Sequence, residues 1–197
     1  MDSAPFQILY ECAKLPVPEQ ERYESWDVES AFYDYLPAGA RATLKIGAYK
    51  LELDRLMFVD WVRSSLPLAE RIAGLLEDPK ETLRQYFPDA RPAVKLFSWT
   101  AADAMIHLPI IVFAVDGDRV SIYTRTLSEV PGPELIVKEN RDLKDPVVAS
   151  RGEIIKEIAS TLTRYLDDLA AAFPFLDADE KYREYRARVA RLNQRSN

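Results

Sequence analysis

Between Ala93 and Leu127 apolar residues come in runs separated by one clear turn signal. Val94, Leu96 and Phe97 make a short run and Met105 to Val115 a longer one; Asp116-Gly117 follows, and Arg119 to Arg125 then alternates apolar with polar. Asp-Gly between apolar strands predicts a tight hairpin, because both central residues of a type I′ turn need positive φ. With Val115 opposite Asp118, Phe113 faces Val120 and Ile111 faces Ile122, so these four share one face. Residues 104–115 are apolar on both faces, which predicts a central strand. Pro109 removes a ladder donor within it and predicts a bulge or a local edge.

The same patterning extends along the chain. Phe6 to Cys12 alternates as a first strand, and Arg41 to Leu53 reads as a second hairpin about Gly47-Ala48, with Gly first as a type II′ turn prefers. Met57, Phe58, Trp61 and Val62 give a helical stripe over 55–65 behind an Asp54 cap; Pro67 predicts the start of a second helix, and Asp78-Pro79 a third that Pro88 ends. Leu135 to Val137 predicts an edge strand, and Asp145-Pro146 a turn. Ser150-Arg-Gly-Glu153 is a capping box that opens a helix over about 151–173, with Ile154, Ile155, Ile158, Leu162, Leu166, Leu169 and Phe173 as its buried stripe. Pro174 stops it. Asp177 to Glu180 caps a last helix whose narrow apolar seam is Tyr182, Tyr185, Val189 and Leu192. These elements predict an α+β fold: an antiparallel or mixed sheet of about five to seven strands, helices packed mainly on one face, and long C-terminal helices. Residues 1–176 read as one domain and 177–197 as a basic helix packed on it.

Composition narrows the function. The chain has 197 residues, one cysteine and a formal charge of −6. Residues 181–197 hold Lys181, Arg183, Arg186, Arg188, Arg191 and Arg195 against Glu184 alone, a net +5, so the first 180 residues carry −11. A body that acidic argues against nucleic acid as a partner and favours fast encounter with a basic protein. No apolar run is long enough for a membrane helix, and the N-terminus has neither the basic nor the apolar region of a signal peptide, so a cytoplasmic location without membrane association is expected. A lone Cys12 forms no internal disulfide.

Reactive chemistry is sparse. The six glycines form neither a dinucleotide fingerprint nor a phosphate loop, no paired His/Cys spacing points to zinc, and no serine sits in a nucleophile elbow, so no cofactor, metal or catalytic residue is predicted. His107 is the single histidine. Asp142-Leu-Lys144 mimics half of a metal-nuclease motif, but Asp145-Pro146 follows at once.

The exception is the stretch 19–36, where acids and aromatics interleave around a single basic residue, Arg22. Aromatic side chains supply anchor area and carboxylates steer a basic partner. Glu21, Glu24, Trp26, Asp27, Glu29, Tyr33 and Asp34 are therefore the expected partner-binding residues. The prediction is a small acidic binding protein without catalysis that occludes a basic protein partner. Immunity proteins and other inhibitors of bacterial toxins are the class that shares its size, charge and lack of catalytic motifs. The alternatives are an enzyme using His107, or a scaffold that self-associates through 177–197.

Overall fold

The computed structural model describes residues 4–12, 26–32, 40–53, 61–77, 84, 90–99, 109–129, 135–139 and 146–195. They form eight strands: β1 (Phe6–Cys12), β2 (Ala40–Ile46), β3 (Tyr49–Leu53), β4 (Lys95–Trp99), β5 (Pro109–Asp116), β6 (Arg119–Glu129), β7 (Leu135–Glu139) and β8 (Val147–Ser150). Three longer helices are α1 (Trp61–Ala73), α2 (Arg151–Ala172) and α3 (Glu180–Arg195), and a short helical turn spans 28–32.

The fold is α+β, but its strands divide into two antiparallel sheets where the sequence predicts one. The first has the order β1-β2-β3; in the second, β4-β5-β6-β7 follow one another and β8 also pairs with β6. At β1 the outer edge of the first sheet is closed. Ile8 N–H donates to Glu157 of α2 at 2.7 Å, and the Tyr10 carbonyl accepts from Arg164 of α2 at 3.1 Å. Two groups that another strand would have to pair with are already occupied by helix side chains, one way a sheet edge is closed.

In the second sheet β5 lies between β4 and β6, as its two apolar faces predict. Its hairpin differs in register. Gly117 and Asp118 are the central turn residues, and Asp116 pairs with Arg119, Val115 with Val120 and Phe113 with Ile122. Gly117 has φ +63°, which a side chain at this first turn position would resist. Each partner moves by two residues from the expected pairing, so the predicted face of Ile111, Phe113, Val120 and Ile122 survives, and all four are buried. Pro109 is the first residue of β5, where its missing donor costs least. The first hairpin has its predicted turn, with Ile46 opposite Tyr49 across Gly47-Ala48. Gly47 has φ +55°, and a Cβ there would lie 2.9 Å from a methyl of Val147, so glycine is required twice over where this turn meets β8.

α2 is the central prop. Ser150 caps it and Glu153 returns the bond to the Ser150 N–H, completing the capping box. All seven residues of its predicted stripe are buried, and the helix packs on β1, α1 and α3. α1 runs through Pro67 without a break, so the second helix expected to start there does not form. Flanking Leu66 and Leu68 are both buried, and apolar packing on each side offsets the backbone bond that the proline removes. The helix expected over 78–88 lies outside the described residues apart from Arg84. The seam of α3 is fully used: Tyr182, Tyr185, Val189 and Leu192 are buried in the same core as both sheets. Among the described residues no helix is long and apolar enough to cross a membrane.

Candidate functional site

Residues 26–32 lie against the start of α3. Asp27 opens the helical turn, accepting both the N–H and the hydroxyl of Ser30 at 2.9 Å. These bonds hold its carboxyl below the usual carboxylate range, the backbone N–H contributing most. Val28 N–H donates to Asp179 Oδ2 at 3.2 Å, while Asp179 Oδ1 accepts from Tyr182 N–H at 2.8 Å. One carboxylate thus caps α3 and ties down the turn 28–32. Val28, Ala31 and Phe32 point inward and are buried. The Phe32 ring lies 5.7 Å from Tyr185 and 6.0 Å from Tyr165.

The seven residues expected to bind a partner therefore divide. Glu29 faces inward: it pairs with Arg63 of α1 and with Lys181 of α3 at 2.6 Å, and accepts from the Tyr185 hydroxyl at 3.1 Å. Asp27 is exposed, and Trp26 is half-buried with its ring 5.7 Å from Phe173. Glu21, Glu24, Tyr33 and Asp34 lie outside the described residues, as do His107 and the Asp142-Lys144 pair.

α3 explains the uneven charge of the sequence. Lys181 reaches Glu29, Arg186 reaches Asp167 of α2, and Arg188 makes a two-pronged bond to Glu70 of α1 at 2.9 and 2.7 Å. Glu70 keeps 6% of its side chain exposed and Arg188 21%, so this pair is the driest of the three. Glu70's hydrogen bonds push the Arg188 guanidinium further up. Arg183 turns back to the carbonyls of Ala178 and Asp179. Four of the six tail cations thus serve the chain's own body, and the tail is bound by charge as well as by its seam.

What remains at the surface is a ledge where the 3-10 turn Pro174–Ala178 joins α3. Phe173 is buried there, its ring 5.7 Å from half-buried Trp26 and 6.0 Å from half-buried Phe175. Asp27, Asp177 and Glu180 are exposed about it. The pattern of 19–36 predicts Trp26 and Asp27 as contact residues but not Phe175, Asp177 or Glu180. The acids of 177–180 were visible only as caps, about 150 positions from Trp26, and nothing local shows that the two stretches meet. Partly buried aromatic rings and exposed carboxylates thus lie close together at this place, with Lys181 near Asp27.

The strongest titration effect lies elsewhere, at the β1 edge. Burial, and then a 2.8 Å bond from its hydroxyl to Asp168, push the Tyr10 phenol far above its usual value of 10.0. The Arg164 guanidinium covers its ring at 5.3 Å. Tyr10 therefore stays neutral, and half-buried Cys12 lies beside it. Among the described residues no three His, Cys, Asp or Glu side chains converge as metal ligands would. Comparison with protein-family models, curated proteins and solved structures finds no match to this chain.

Proposed function

We propose that the chain is a cytoplasmic binding protein without catalysis that occludes a basic protein partner, in the manner of an immunity or inhibitor protein directed against a bacterial toxin. The observation that carries this reading is the ledge: three exposed carboxylates near two half-buried aromatic rings, beside a helix several of whose cations pair with the chain's own carboxylates. Carboxylates at a rim accelerate encounter with a basic surface, and central aromatic side chains carry most of the contact energy. The acidic body extends the attraction beyond the contact itself.

The test is co-purification from the native host, followed by titration of the recovered partner. The partner is expected to be basic, to lose its own activity at one-to-one stoichiometry, and to be released by salt. Replacing Asp27, Asp177 and Glu180 together with amides is expected to lower its association rate at least tenfold. Trp26→Ala is expected to cost about 2 kcal/mol of affinity. A partner with an acidic surface, or one that binds the neutralised variant equally well, would overturn the reading.

A further inference from the structure

The two edges of the first sheet are treated differently, and the difference points to a second copy of this chain. In an antiparallel strand the N–H and C=O of alternate residues point to opposite edges. Ile8 and Tyr10 direct theirs toward α2, so Gln7, Leu9 and Glu11 direct theirs toward β2. Gly47 N–H, which donates to the Pro5 carbonyl at 2.9 Å, fits the same phase. Through the register of β1 with β2, Arg41, Thr43 and Lys45 face β1, and Ala42, Leu44 and Ile46 face β3. Through the next register, Tyr49, Leu51 and Leu53 face back to β2. The backbone groups of Lys50 and Glu52 therefore point away from the sheet, where no described strand pairs with them.

We propose that β3 pairs antiparallel with β3 of a second copy across a two-fold axis through Leu51, extending the sheet to six strands. The phase of the strand admits three centred registers, because residues with outward groups must oppose each other. Lys50 against Lys50 and Glu52 against Glu52 each place like charges directly opposite, which destabilises a pair. The third sets Lys50 opposite Glu52 of the copy, and Glu52 opposite Lys50, with Leu51 facing Leu51 on the axis. Both charged contacts are then attractive, and the two outward-facing pairs each exchange both N–H···O bonds. The Lys50 and Glu52 side chains are 55% and 73% exposed, so a copy reaches them without moving the core. Within one chain they contact each other at 2.7 Å, the same pairing that the copy would offer in exchange. A single lysine on an edge repels a second edge, whereas Lys-x-Glu is complementary to itself when reversed. The opposite edge is closed by Glu157 and Arg164, and the seam of α3 is buried, so neither competes for the copy. This inference is independent of the acidic ledge and its partner.

The test is sedimentation equilibrium of the full chain at low salt over a wide range of concentration. The wild-type protein is expected to show a concentration-dependent dimer. Lys50→Glu alone and Glu52→Lys alone each place like charges opposite and are expected to weaken self-association at least tenfold, with unchanged thermal unfolding of the monomer. Mixing the two variants restores opposite charges across the axis, and so does making both changes in one chain; both are expected to recover the dimer. A monomer at every concentration would overturn the proposal. So would a dimer indifferent to the single reversals, or single variants that lose the dimer and do not regain it on mixing.

Discussion

Glu29 and Glu70, both largely shielded from water, each meet a cation from α3; near the start of that helix, Asp27, Asp177 and Glu180 face solvent. The two groups carry the same chemistry and lie close together along the same helix. Surroundings separate them. A carboxylate with little access to water needs its partner, because removing one member of a buried pair strands the other charge. A carboxylate in water neither gains nor loses much from neighbours inside its own chain. The first group fixes how the tail sits, and the second leaves a negative surface that a partner can use.

This contrast can be broken by mutation. The largest effect is expected at Glu70→Ala, which leaves the Arg188 guanidinium in a largely buried place without its two-pronged acceptor and is expected to cost about 3 kcal/mol. Urea unfolding measures it; a loss under about 1 kcal/mol would make the seam no different from an exposed pair. Glu29→Gln removes the charge that Arg63, Lys181 and the Tyr185 hydroxyl share. Because both cations are themselves well exposed, the expected cost is smaller, about 1–2 kcal/mol by the same measurement.

Alkaline titration probes burial by another route. Burial raises the Tyr10 and Tyr182 phenols above 10.0, so both stay neutral in the folded chain while the unfolded chain begins to ionise near that pH. Their contribution is complete below pH 10 and is lost as pH climbs toward the folded values. Stability is expected to fall above pH 10, and Tyr10→Phe should flatten that fall. The smallest effect is expected on the ledge. Neutralising Asp177 and Glu180 should change stability by no more than about 0.5 kcal/mol, although partner association slows. A stability loss as large as that of Glu29→Gln would show that these acids also serve the fold.

Much of the fold was legible because its signals are local. The stripe of α2 follows helical spacing without interruption, and Ser150 and Glu153 stand at the two corners of its capping box. The Gly47 turn and the seam of α3 were likewise visible in spacing alone. Pro67 misled because local rules say where a proline is tolerated, whereas buried Leu66 and Leu68 on either side hold the helix together. The second hairpin was misplaced by one turn residue: Asp-Gly and Gly-Asp both overlap the same short stretch, and only the paired strands decide between them. Half of the ledge was legible as an acidic and aromatic stretch, but its inward carboxylate was not, because Asp27 and Glu29 look alike in a list of residues.

The α+β class, most of the elements, the faces they bury and the charge imbalance between body and tail are readable from the order of residues. Those follow from periodicity, caps, turn residues and counting, each of which acts over a few positions. The tertiary structure alone decided that the strands separate into two sheets, that α2 side chains close the β1 edge, and which carboxylates meet cations. The β1 contacts with α2 and the Glu29–Lys181 and Glu70–Arg188 pairs join residues more than a hundred positions apart. Whether a charge ends up paired in the interior or hydrated at the surface is set by what the folded chain brings beside it.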